Sequence, residues 1–171
     1  MMQKLLLFLL AAFGLLTVHA QYGEQDFIRH TVKDGLNDNY ITCLQQDNLG
    51  YIWAGTDIGL NRFDGINFKI YKPSAFKKNY LSNGFVTAVK QDAEGNIWAA
   101  TQKGLNRIDA LTDTTEVLTA VNEQYKINLQ KESVWDVLPD GDAVWIVIDT
   151  KPLIYYNTKT KQSRYYDFKK F

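Results

Sequence analysis

A tryptophan-centred segment recurring at near-constant spacing, strands apolar on both faces and frequent turn residues together predict an all-β fold. The specific expectation is a β-propeller fragment of about three four-stranded blades, open as an incomplete ring, behind an N-terminal signal helix. Trp53 and Trp98 are 45 residues apart, and Trp98 and Trp145 are 47 apart. No window carries a sustained 3.6-residue apolar period, which argues against long helices in the folded part.

The first twenty residues stand outside the fold. Lys4 supplies a positive start, Leu5 to Leu16 is apolar, and Val18-His19-Ala20 offers the modest side chains a signal peptidase needs. A bilayer span takes about 20 apolar residues, so residues 1–20 read as a signal peptide rather than an uncleaved anchor. No cysteine follows the run to carry a lipid. Removing 20 residues from 171 leaves a mature chain of 151, starting at Gln21.

Residues 21–35 contain an expected orphan strand. Phe27–Val32 reads as the fourth strand of a blade whose other three strands are missing, leaving an exposed edge that invites self-association. Blade 1 is then expected over 36–78, blade 2 over 79–125 and blade 3 over 126–171. In blade 1 the strands read as Tyr40–Gln46, Tyr51–Thr56, Leu60–Asp64 and Asn67–Tyr71. Asp47 and Gly50 mark the first hairpin, as Asp92 and Gly95 do in the second copy: Asp starts turns and Gly tolerates positive φ.

The repeat itself is explicit. Segments 46–64 and 91–109 share twelve of nineteen residues without a gap. The third copy is worn: Val134 to Leu138 stands for the first strand, Val144-Trp145-Ile146 for the tryptophan strand and Leu153 to Asn157 for the third. On the first strand of blade 1, Ile41 and Cys43 fall on one face, with Tyr40, Thr42 and Leu44 on the other, so both faces are largely apolar. Such sheets pack on both sides, and a four-stranded unit stacked on its neighbours is a propeller blade. An immunoglobulin-like sandwich would not repeat its sequence at this period. Trp53, Trp98 and Trp145 are expected between successive blades, with Ala54, Gly55, Ala99 and Ala100 leaving room for the first two rings. Burying one such ring removes about 150–250 Å² from water.

The string Gln-Asp-x-x-Gly-x-Ile-Trp-x-x-Thr-x-x-Gly-Leu-Asn-Arg-x-Asp resembles the two-component regulator propeller repeat. Phe27 to Leu36 is similar to the usual opening of such sensors. The resemblance implies the N-terminal part of the periplasmic sensor region of a Bacteroidetes hybrid two-component system. It further implies an oligosaccharide ligand, further propeller blades, an inner-membrane anchor in the parent protein and a histidine kinase beyond this chain.

The residues themselves restrict the chemistry. After the leader, 18 basic side chains face 19 acidic ones with no basic stripe, which argues against direct nucleic-acid binding. Cys43 is the only cysteine, so no intrachain disulfide forms and a buried thiol is expected. His30 is the only histidine after the leader, too few for a His-paired nucleophile or a two-His metal site. Asp47, Asp92 and Asp142 lie in turns that account for them without calcium. No catalytic residue, metal or cofactor is expected. Arg62 and Arg107 recur at one repeat position, which favours pairing with a neighbouring strand or blade. Ligand contacts are expected from loops before the first strand and between the second and third. These place Asn39, Tyr40, Asp57, Asn83, Phe85, Gln102 and Lys103 on one rim. The alternatives are a secreted scaffold propeller without a signalling partner, and a polysaccharide-acting propeller enzyme.

Overall fold

The computed structural model describes residues 27–74 and 80–168; the leader expected at 1–20 lies outside them. Three four-stranded antiparallel sheets dominate. The first contains β1 (Ile41–Gln46), β2 (Ile52–Thr56), β3 (Leu60–Phe63) and β4 (Phe68–Tyr71). The second contains β5 (Val86–Gln91), β6 (Ile97–Thr101), β7 (Gly104–Ile108) and β8 (Thr115–Val117). After a hairpin of β9 (Val121–Asn122) and β10 (Ile127–Asn128), the third contains β11 (Val134–Asp140), β12 (Ala143–Ile148), β13 (Leu153–Asn157) and β14 (Ser163–Tyr166). Each sheet keeps its strands in chain order, as a propeller blade does. The three blades stack as an open series, β1 packing on β5 and β5 on β11.

The turn aspartates do more than start hairpins. Asp47 Oδ1 accepts from Leu49 N at 3.0 Å and Tyr51 N at 2.9 Å, while Oδ2 accepts Trp53 Nε1 at 2.7 Å. Asp92 likewise accepts from Glu94 N, Asn96 N and Trp98 Nε1. In blade 3 the indole of Trp145 donates to Asp140 at 3.1 Å. In blades 1 and 2 one carboxylate thus fixes both the turn and the ring orientation. Gly50 and Gly95 close these turns at φ 90° and 88°, which a side chain would disfavour.

Simple alternation along the first strand fails at one point. A register irregularity falls between Ile41 and Cys43, Val86 and Ala88, and Val134 and Asp136. The extra residue turns Thr42 as well as Cys43 toward blade 2, which corrects the face assignment expected for Thr42. Thr42 Oγ1 donates to Val86 O at 2.5 Å, and Thr87 Oγ1 to Val134 O at 2.6 Å. Cys43 packs half-buried against the core there, and burial pushes its thiol pKa up.

The core lies between blades. Trp53 and Leu60 of blade 1 pack with Val86, Val89, Ile97 and Ile108 of blade 2. Trp98 and Leu105 of blade 2 pack with Val134, Val137, Val144 and Ile146 of blade 3. Trp53 and Trp98 are fully buried, whereas Trp145 is only half-buried. Its burial between blades is therefore corrected: it stands on the outer face of blade 3, which no sheet covers among the described residues. It rests on Tyr155 and Tyr166 instead.

The strand expected at Phe27–Val32 is not formed. Phe27 and Ile28 are 90% and 79% exposed, and Val32–Asp34 is a 3-10 turn. Thr31 and Asp34 cap each other's backbone in a capping box, and this local bonding competes with an extended conformation. The His30 ring lies against Phe63 and Phe68, at 4.7 and 5.7 Å between centroids. The β9–β10 hairpin crosses residues 125 and 126, where the sequence divides blades 2 and 3.

Candidate functional site

The rim expected to hold ligand is built on a repeated polar layer. Asn61 Oδ1 accepts from Asn37 N at 2.9 Å, and Asn61 Nδ2 donates to Asn37 Oδ1 at 2.6 Å and to Ala54 O at 3.2 Å. Thr56 Oγ1 donates to Asn37 Oδ1. One repeat later, Asn106 holds Ser82 in the same way, and Ser82 meets Thr101 at 3.0 Å. Asn61, Asn106, Thr56 and Thr101 are buried. Buried amides are costly unless bonded, so these networks fix the loop before each first strand to its own sheet. Blade 3 replaces them with Ile148 and Ile154, both buried. Thr56, Thr101, Asn61 and Asn106 are among the twelve identical repeat positions, which was the available signal.

On this base, the blade 2 loop settles on the blade 1 loop. A side chain at Gly84 would stand 3.2 Å from the backbone of Ile58 and 3.4 Å from Asp57 O. Gln102 N donates to Phe85 O at 3.1 Å, and Asn83 Oδ1 accepts from Phe85 N at 3.0 Å. Asp57, Asn83, Phe85 and Gln102 therefore share one rim. Lys103 follows exposed, its N donating to Thr101 Oγ1. Asn39 is turned to the N-terminal segment, its Oδ1 accepting from Val32 N at 3.1 Å. Tyr40 is 64% exposed beside it.

At the other end of the strands, blade 2 reaches back to blade 1. Asp113, at φ 58°, accepts from Tyr71 Oη at 2.6 Å and pairs with Lys69 at 2.5 Å and Arg62 at 3.3 Å. Arg62 also donates to Ala110 O at 3.2 Å and lies over the Tyr51 ring. Burial alone would raise the Asp113 pKa; hydrogen bonds from Lys69 and Tyr71 and the Arg62 charge outweigh it and hold the carboxyl below its usual value. Burial and the Asp113 hydrogen bond push the Tyr71 phenol strongly up. Sequence reasoning found the arginine's recurrence but not this partner, because the turn bearing Asp113 has no counterpart of equal length in blade 1.

Residues 35–57 and 80–103 match the two-component regulator propeller family. These two segments of the chain are similar to the two-component regulator propeller repeat. Both matches run from the loop before a blade's first strand to the rim beyond its second; the third blade lies outside them. A stretch of 64 residues is 39% identical to histidine kinase P4 of Formosa agariphila, covering 37% of this chain and 5% of the kinase. The extracellular domain assigned to the hybrid two-component system BT3049 of B. thetaiotaomicron superposes with a TM-score of 0.72 at 26% identity, over 82% of this chain and 20% of that one. The BT4673 extracellular domain of the same organism shares the fold, with a TM-score of 0.64 at 22% identity, over 77% of this chain and 18% of that one. The chain thus spans a small part of each of these relatives. No helix among the described residues is long and apolar enough to cross a membrane.

Proposed function

We propose that this chain is part of the ligand-sensing propeller of a hybrid two-component signalling protein, exported to the periplasm and recognising an oligosaccharide. Its division into a leader at 1–20, a segment at 21–35 and blades at 36–78, 79–125 and 126–171 belongs to this reading. Signalling would pass to a histidine kinase outside the chain, in a parent anchored in the inner membrane. The supporting observation is the pair of regulator-propeller repeats in a chain whose blades superpose on an extracellular domain of such a system.

The rim is the proposed contact surface because its loops project from a fixed polar layer. Tyr40 and Phe85 offer aromatic faces; Asn39, Asp57, Asn83, Gln102 and Lys103 offer hydrogen-bonding tips. Titration calorimetry of the chain against neutral and acidic oligosaccharides tests this. Gln102→Ala and Lys103→Ala, both at exposed side chains, should each weaken binding about tenfold, the equivalent of one lost hydrogen bond. Binding unchanged in both variants, or absent from every oligosaccharide, would remove the rim from the account.

A further inference from the structure

The two copies of the repeat arginine meet different surroundings. Arg62 is occupied by the Asp113 carboxylate from the next blade's turn. The corresponding turn of blade 3 has the same construction: Asn157 N donates to Gln162 O as Asp109 N donates to Thr114 O. Its fifth residue is Lys161 at φ 60°, matching Asp113 at φ 58°. A lysine cannot give Arg107 what Asp113 gives Arg62. Across the strand pair the charge is also exchanged, with Lys69 opposite Arg62 and Glu116 opposite Arg107.

Arg107 is consequently left without an ion pair among the described residues, and its buried Nε donates no hydrogen bond. The guanidinium lies over the Trp98 ring at 5.9 Å and faces two connected polar clefts. The larger, of about 290 Å³, runs between the hairpin turns of blades 1 and 2, with Leu49, Glu94, Asn96, Asp109 and Leu111 in its walls. The smaller, of about 150 Å³, continues past Asp109 to Thr114 and Glu116.

We propose that this seam binds a single neutral, polyhydroxylated ring, with Arg107 as its central donor. Charge decides the class. An anion would meet Glu94, Asp109 and Glu116, and a cation would pair with those carboxylates while leaving the Arg107 donors unpaired. Hydroxyl groups both donate and accept, so a polyol engages the arginine and the carboxylates together. Leu49 and Leu111 are exposed at the cleft and offer apolar surface to the C–H face of a ring. The volume stands at the small end of the roughly 300–1,000 Å³ usual for ligand pockets, room for one ring. The site lies at the strand ends opposite the proposed rim and is independent of it.

The arginine Nε–H resonances of the ¹⁵N-labelled chain provide the test. Glucose, galactose, mannose, xylose, arabinose and fucose serve as neutral probes, with glucuronate and glucosamine as charged controls. At least one neutral sugar should shift Arg107 Nε–H saturably while Arg62 Nε–H stays still, and both controls should act more weakly. Arg107→Lys should weaken the accompanying shift of the Leu111 amide about tenfold. Asp113→Ala should unblock Arg62, which, standing with Lys69, should then respond to glucuronate. The Trp98 indole resonance reports whether each variant is folded. No shift from any neutral sugar, an equal response to glucuronate at Arg107, or an equal response of Arg62 in the unaltered chain would overturn the proposal.

Discussion

Asp47 and Asp92 each join a turn to an indole, so the most conserved-looking feature between the two copies is one bonded unit rather than separate turn and packing residues. Asp92→Ala removes the acceptor of two backbone amides and of the Trp98 indole, and should cost about 2–3 kcal/mol in urea unfolding. Trp98→Ala leaves a cavity between blades 2 and 3 and should cost about 3–5 kcal/mol. Trp145→Ala removes a half-buried ring at an uncovered face and should cost about 1–2 kcal/mol; equal losses for the two tryptophans would show that the face is covered. Asp113 titrates with a clear sign. Its folded pKa lies below its unfolded value, so its pairing stabilises the fold above the ordinary carboxylate pKa of 3.8 and is lost as pH falls through the depressed value. Asp113→Asn should therefore flatten the acid limb of the stability curve below about pH 4; an unchanged limb would mean that the clamp is not formed in solution.

Blade stacking depends on a small residue facing a bulge. A side chain at Gly55 would stand 2.5 Å from Cys43 Sγ and 2.8 Å from Val86 Cγ1. The second blade has Ala100 at this position and the uncovered third has Val147, so size rises along the chain as the constraint from a following blade changes. Gly55→Val should cost about 1–3 kcal/mol and lower the thermal midpoint, and Val147→Ile, at the open face, should be nearly neutral. The strands of blade 1 were legible to within a residue because the repeat, the turn residues and the apolar pattern agree. The β9–β10 hairpin was not, since two-residue strands are too short for alternation to register. The bulge was hidden for a related reason: Thr42 fits either face until pairing with β2 shows the extra residue. For the rim, the sequence named the loops. It did not show that the Gly84 loop rests on Ile58, a contact fixed by how blades stack.

At the largest scale, the described residues form a stack of three blades with two unlike ends. Positions buried at the internal seams reappear exposed: Leu44 is 64% exposed where Val89 and Val137 are buried, and Leu138 is 61% exposed on the opposite face. Apolar ends of this kind favour association. Leu44→Lys and Leu138→Lys together should shift the chain toward monomer in sedimentation velocity; an unaltered distribution would exclude the end faces as the contact. The far end also differs in kind from the seams that precede it, because Trp135 takes the place of Thr42 and Thr87 and cannot repeat their hydroxyl bond to the next blade. Two indoles, Trp135 and Trp145, consequently stand on that one end while the two at the seams are sealed from water. The protein therefore carries a built-in optical gauge. Red-edge excitation selects the water-exposed pair, and a blue shift of that emission, with the buried pair unchanged, would count each molecule whose open end has been covered.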